Sequence, residues 1–244
     1  ISKDTVDFLF KMSIALSFLD ASVEDIEALG VSRSILQSLQ AAYPGEWMPE
    51  FYLAVIDTRE NKKEEGERRI TSLIESIDTS AELYIQGGFY YYEQSRFNKS
   101  VEIFRKGTTT FPDDFRLNYL TGNSYYRLGK NRDALPYLEK AVQITPSDLN
   151  ALSNLGLVYD DLKMYPETDR LYVEAFRHHP DNTLLLNNYA YHLAERGDRL
   201  KEALEMSKKT IYRDSGTGRI IPKKTAEQKD PRTWEKERVD TGKK

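Results

Sequence analysis

The constraint that governs this chain is a period. Residues 81–182 repeat one thirty-four-residue pattern three times without a gap, as 81–114, 115–148 and 149–182. Gly88, Gly122 and Gly156 share one column, and Tyr91, Tyr125 and Tyr159 share another. Phe104, Leu138 and Tyr172 form a third, the small residues Gly107, Ala141 and Ala175 a fourth, and Pro112, Pro146 and Pro180 close the units. A fixed period of about twenty to fifty residues belongs to repeat architectures. These stack one supersecondary unit on the next instead of folding around a single core.

The columns read as a helix–turn–helix unit. The glycine, three residues before the tyrosine, lies midway along a first helix, where it costs about 1 kcal/mol in propensity. That cost is tolerable where a second helix comes close, and Ser100, Ala134 and, less well, Thr168 are the expected facing residues. The large residue follows one turn later and the small residue three positions after that, all on one face. Proline then forbids a further turn. The unit is an antiparallel helical pair with its apolar faces turned inward and against its neighbours.

This pattern resembles the tetratricopeptide repeat. In 149–182 the matching residues are Leu152, Leu155, Gly156, Tyr159, Tyr172, Ala175 and Pro180, whereas in 81–114 Gly87 replaces the leucine and Gly107 the second alanine. The resemblance implies an all-α, right-handed superhelical solenoid of antiparallel helix pairs.

The remaining sequence extends the array with weaker columns. Residues 1–46 read as a degenerate hairpin. Its first helix covers 4–19, with Val6, Leu9 and Leu16 on an apolar face widened by Phe8, Phe10 and Phe18. A polar connection over 21–30 follows, with a short apolar insert that allows one extra turn through Ile26 and Leu29, then a second helix over 34–43 that ends at Pro44. Residues 47–80 are one period upstream of Ala81, with Phe51, Leu53 and Ala54 on a first helix, Ile70, Leu73 and Ile77 on a second, and Asp57 where tyrosine is expected. Residues 183–215 form a last unit, stretched by one residue, with Ala203, Ser207 and Thr210 on its second helix. Residues 216–244 differ in kind: nine Lys/Arg against five Asp/Glu give this tail +4, leaving −8 on the rest of a chain whose formal charge is −4. Gly216, Thr217 and Gly218 read as a hinge, the tail as basic and flexible, and 234–239 as a short helix after Asp230-Pro231.

Composition narrows the chemistry. The net negative charge argues against a nucleic-acid partner, and the lack of cysteine excludes disulfides and thiolate zinc sites. No apolar run reaches the roughly 18 residues of a membrane span. Because Ile1 is not methionine, a leader or lipid anchor removed upstream leaves localisation open between cytoplasm and periplasm. His178 and His179 sit at a helix end beside Pro180, His192 lies on the next first helix, and no serine or carboxylate constellation accompanies them in sequence. Asp160 and Asp161 are adjacent and project about 100° apart on a helix, so they are not expected to share a site. No enzyme activity, cofactor or metal is expected.

What remains is the surface that the resemblance assigns to partners. In the family resembled, the first helix of each pair lines a concave groove. Carried over, this implies Gln86, Phe89 and Tyr92 in 81–114, Tyr119, Asn123, Tyr126 and Arg127 in 115–148, Asn154, Leu157, Asp160 and Asp161 in 149–182, and Asn188 and Tyr191 in the last unit. Gln86, Asn154 and Asn188 share one position, a row that Leu120 interrupts. A side-chain amide offers a donor and an acceptor to an extended backbone; the competing reading gives these amides to neighbouring protein groups. Where a carboxylate-clamping groove needs lysines, Tyr119 and Leu184 stand instead. The expected function is a protein-interaction scaffold holding an extended peptide or helix between Phe51 and Tyr191. The alternatives are self-association within a larger bacterial complex, through a C-terminal end where Leu204 and Ile211 lack a cover, and a recruiting arm for an enzyme domain outside this sequence.

Overall fold

The computed structural model describes residues 3–23, 25–179, 182–197, 212–214, 220–221 and 234–236. Its helices are α1 Lys3–Ala21, α2 Ile26–Ala42, α3 Trp47–Arg59, α4 Lys63–Ser76, α5 Ala81–Tyr92, α6 Phe97–Thr110, α7 Phe115–Arg127, α8 Asn131–Ile144, α9 Leu149–Asp161, α10 Tyr165–His178 and α11 Thr183–Arg196. The array is an all-α solenoid of helical hairpins. The described part of the C-terminal segment adds three short strands, β1 Tyr212–Asp214, β2 Ile220–Ile221 and β3 Trp234–Lys236, in an antiparallel sheet of order β2-β1-β3.

Two backbone features repeat with the period of the sequence. The residue before each of four first helices is an N-cap: Ser80, Asp114, Asp148 and Asn182 accept hydrogen bonds from the amides of Leu83, Leu117, Ala151 and Leu185 at 2.8–3.2 Å. Each cap satisfies an amide that the first turn leaves without an intrahelical partner. The turn between paired helices uses one left-handed residue, at Asn61, Ser95, Gly129 and Lys163, and Gly197 after α11 falls in the same column, with φ between 57° and 72°. That column runs through 47–80, where the side-chain columns fade.

The glycine column marks a close approach, but to a different neighbour from the one expected. A Cβ on Gly88 would collide with the Phe104 ring, one on Gly122 would lie 2.6 Å from Leu138 Cγ, and one on Gly156 would lie 2.7 Å from Tyr172 Oη. The large residue of the second helix therefore fills the notch. At Gly122 the carbonyl oxygen of the facing Ala134 is also close, 3.2 Å from such a Cβ.

The chain divides into two compact units, Ile1–Leu117 and Asn118–Lys244. In the first, each helix from α1 to α6 packs on the next, and Phe8, Met12, Ala15, Leu19, Leu36 and Leu53 share one core. Helix α2 starts at Ile26, where Asp25 caps it by accepting from the Glu27 amide, so the turn expected through Ile26 and Leu29 is the start of the second helix. Helix α1 corrects the expected face in part: it buries Phe8, Met12, Ala15 and Leu19 and packs Leu16 against them, while Val6, Leu9 and Phe10 are at least half exposed and Phe18 is 37% exposed. Ser32 fixes the crossing by donating to the Ala15 carbonyl at 2.8 Å.

Asp57, in the tyrosine column, is buried among charges. It accepts from Arg33 Nη2 at 2.8 Å and Arg69 Nη1 at 2.5 Å, while Arg69 also holds Glu50 and Arg33 also holds Glu60. The network ties α2, α3 and α4 together where the other hairpins use a ring.

In the second unit, Leu152, Tyr172, Ala175, Leu185, Tyr189 and Leu193 form the core of α9, α10 and α11. Tyr172 stacks on Tyr189 with centroids 4.9 Å apart. The helix expected over 234–239 is corrected at 234–236, which pair as strand β3 with Tyr212–Asp214, Trp234 standing opposite Asp214 and Lys236 opposite Tyr212. The expected second helix carrying Ala203, Ser207 and Thr210, the end residues Leu204 and Ile211, and the hinge at 216–218 lie outside the described residues.

Candidate functional site

The first-helix residues of the first unit engage their own hairpin. Phe89 is half-buried and meets Phe104 and Tyr92 edge-on, with centroids 5.9 and 6.1 Å apart, and Tyr92 meets Phe97 at 5.1 Å. Gln86 donates to Glu82 at 2.8 Å. Phe51, expected as one limit of the groove, is only 2% exposed and packs against Trp47 and Tyr52, so it belongs to the core.

Helices α7, α9 and α11 carry the remaining expected residues. Tyr119 Oη accepts from Asn123 Nδ2 and from Asn154 Nδ2, each at 3.3 Å, so one hydroxyl joins α7 to α9. Asn188 Nδ2 donates to Ser153 Oγ at 3.1 Å, joining α11 to α9. Asn154 and Asn188 thus give hydrogen bonds to neighbouring protein groups, as the competing reading expects. Each spends one N–H on a neighbour, which fixes its orientation, and keeps a second N–H and a carbonyl oxygen. Arg127 is exposed.

Tyr126 and Tyr191 meet at a pocket of about 290 Å³, lined also by Leu157, Asp160, Asp161 and Tyr165 and closed by His192 and Arg196. Tyr191 is 60% exposed and forms its open wall. Asp160 and Asp161 border the same pocket despite their divergent directions, which corrects the expectation that they share no site. Asp161 accepts from Asn131 Nδ2 at 2.9 Å. Asp160 turns the other way and accepts from Arg196 Nη2 at 2.6 Å and Thr168 Oγ1 at 3.0 Å.

Asp160 also pairs with His192 Nδ1, a partnership that sequence spacing had not offered. A carboxylate is acceptor-only, so Nδ1 carries the proton in that bond and the neutral ring presents a lone pair at Nε2. His192 Nε2 and Arg196 Nε are buried without a partner. Burial holds the His192 pKa below its ordinary value, outweighing the opposing charge and hydrogen bond of Asp160; Arg196 acts with burial and Asp161 against it. Arg196 completes the cluster by donating to Asp169 at 2.7 Å and lying 4.6 Å over the Tyr165 ring. Burial raises the Tyr126 hydroxyl pKa, aided by the charge of Asp161.

A histidine oriented by a carboxylate is two parts of a general-base triad, but none of the residues lining the pocket is a serine, threonine or cysteine nucleophile. Among the described residues no cluster of three or more His, Asp or Glu is placed to hold a metal. His179 directs Nε2 to the Ser147 carbonyl at 3.1 Å and holds a loop.

Residues 122–162, from within α7 to just past α9, match the family model for the TPR repeat. These residues are tetratricopeptide-repeat sequence, and the helical array around them has the tetratricopeptide-repeat fold. Among solved structures, the chain resembles YrrB, described as a TPR protein with an unusual peptide-binding site, at 21% identity and a TM-score of 0.56, over 70% of this chain and 88% of that one. PilF of Pseudomonas aeruginosa gives 15% identity and a TM-score of 0.57 over 82% and 88% of the two chains. At these identities the likeness is one of fold. Of curated proteins, Hsp70-Hsp90 organizing protein 3 of Arabidopsis thaliana is 23% identical over 148 residues, 59% of this chain. Tmtc3 of Drosophila melanogaster, a protein O-mannosyl-transferase, is 27% identical over 123 residues. The chain spans 26% of the first relative and 13% of the second. No described helix is long and apolar enough to cross a membrane.

The cluster missed in the sequence had a usable signal. One period beyond Asp160 is Ala194, and His192 and Arg196 flank it by two positions on either side. In this TPR array, side chains about one period apart face each other across neighbouring first helices, as Glu82 and Arg116, Tyr119 and Asn154, and Ser153 and Asn188 do.

Proposed function

We propose that the chain is a non-catalytic interaction scaffold that holds an extended peptide of a partner protein along α7, α9 and α11. The observation that carries this reading is the orientation of Asn154 and Asn188. Each is half-buried, is held by one N–H to Tyr119 or Ser153, and has a donor and an acceptor to spare. An extended backbone presents the matching groups in alternation, so such amides grip a main chain while reading little of its sequence. The peptide-binding site described for YrrB, on the same fold, supports the reading. Phe89 and Tyr92 support the hairpin of α5 and α6 rather than anchor the ligand.

The test is selection from a random decapeptide library on the whole chain, followed by affinities for the selected peptides. Each amide contributes bonds of about 1 kcal/mol, so Asn154→Ala with Asn188→Ala is expected to weaken binding about tenfold or more. Circular dichroism should show an unchanged helical signal. Failure to enrich any peptide, or equal affinity for the double variant, would sink the proposal.

A further inference from the structure

The pocket beside the amides has its own chemistry. Its wall carries two carboxylates, Asp160 and Asp161, against one guanidinium, and Arg196 is itself shared with a third carboxylate, Asp169. The net field is negative. Tyr126, Tyr165 and Tyr191 also line the pocket, and aromatic rings attract cations. Tyr165 already holds the Arg196 guanidinium against one face. His192, 2% exposed, has Nδ1 committed to Asp160 and Nε2 without a partner. Because Nδ1 is the donor, the neutral ring can only accept at Nε2, so at that atom the pocket offers an acceptor to a ligand N–H, while Arg196 Nε beside it offers one unpaired donor. At about 290 Å³ the cavity is at the small end of ligand pockets, on the scale of a side chain rather than a cofactor.

We infer that this pocket is a socket for a single basic side chain, lysine or arginine, of the extended peptide held along α7, α9 and α11. The inference rests on the peptide-scaffold reading and adds specificity to a grip that is otherwise blind to sequence. Asp161 supplies the accessible charge, Tyr126 and Tyr191 flank the aliphatic stem, and Asp160, braced by Arg196 and Thr168, forms the acidic floor. Acidic and neutral residues at that place in the peptide meet unfavourable charge or an unfilled acceptor.

The experiment uses one library-selected peptide and versions of it with lysine, arginine, glutamine or glutamate at each position in turn, titrated calorimetrically into the whole chain. At one position lysine or arginine is expected to bind at least tenfold more tightly than glutamine, and glutamate more weakly still. Asp161→Asn, at an exposed site, should reduce that preference to about threefold or less. Tyr191→Ala should reduce the same preference, and the amide NMR signals that move only with the basic peptide should cluster at Tyr126, Tyr191 and His192. Equal binding of lysine and glutamate at every position, or a basic preference that survives both substitutions, overturns the socket. If peptides bind through Asn154 and Asn188 without any basic preference, the socket alone fails. If no peptide binds the unaltered chain, the scaffold reading fails with it.

Discussion

At the scale of single residues, the most informative position is Tyr172. Its ring fills the notch over Gly156 and stacks on Tyr189, yet its hydroxyl is buried without a partner. Burial also raises its pKa, so the group stays protonated and gains nothing from ionisation. The same column holds Phe104 and Leu138, which carry no polar atom. An unsatisfied buried hydroxyl costs about 1–3 kcal/mol, so Tyr172→Phe is expected to stabilise the fold by about 1 kcal/mol in urea unfolding at neutral pH. A loss of stability would show that the hydroxyl finds a partner, such as water, in solution. Columns of this kind were legible in the sequence because packing repeats whenever the hairpin repeats. The capping column Ser80, Asp114, Asp148 and Asn182 was equally regular and went unread, since its members differ in type and share only a side-chain oxygen. The left-handed turn residues Ser95 and Lys163 left no such trace, because the period imposes that conformation on whatever residue falls there.

At the scale of elements, α2, α3 and α4 show how a lost consensus residue is replaced rather than merely dropped. Asp57 occupies the tyrosine column with a side chain only 5% exposed and links Arg33 on α2 to Arg69 on α4. Sequence spacing located the hairpin but not this exchange, because Arg33 and Arg69 lie outside the repeat columns. Removing one partner from a buried pair leaves its charge uncompensated, so Asp57→Ala is expected to cost about 3 kcal/mol at neutral pH. The network also sets an acid limit. Burial pushes the Asp57 carboxyl up, but hydrogen bonds and charge from Arg33 and Arg69 outweigh it and hold it below its ordinary 3.8. The Arg69 hydrogen bond, against the opposing effect of burial, holds Glu50 below its ordinary 4.5. With folded values depressed, the unfolded chain binds more protons as the pH falls, so this stabilisation is complete above those ordinary values and is lost as the folded pKa values are passed. Thermal melts from pH 7 down to about 3 should therefore fall steeply below about pH 4.5, and more shallowly in Asp57→Ala. Parallel slopes for the two proteins would show that the network is not what titrates.

At the scale of the whole molecule, a repeat array has no single core to fail, and its stability is approximately a sum over hairpins and their nearest neighbours. The two aliphatic and aromatic cores described here, one around Phe8 and Leu36 and one around Tyr172 and Leu193, are each confined to one compact unit. The extent of the helical array was readable from periodicity because a period constrains every unit at once. The socket at Asp160 and His192 was not, because it depends on which side chains meet across neighbouring first helices at offsets near, but not equal to, the period. The same logic predicts where damage spreads. A Cβ at Gly156 lies 2.7 Å from Tyr172 Oη and 3.0 Å from its ring, both in a packed core, so a larger side chain there forces strain of about 1–3 kcal/mol. Gly156→Val is expected to speed amide hydrogen exchange in α9 and α10 most strongly and in their contacting helices α8 and α11 next. Exchange in α1, α2, α3 and α4 should change by less than about twofold, since local openings propagate through neighbouring repeats. Uniform acceleration across all of the helices would mean that the array unfolds as one cooperative body, and the nearest-neighbour description would fail. Confinement to α8, α9, α10 and α11 would instead place the amides Asn154 and Asn188 and the acidic pocket in a segment whose stability can be tuned without disturbing the N-terminal hairpins.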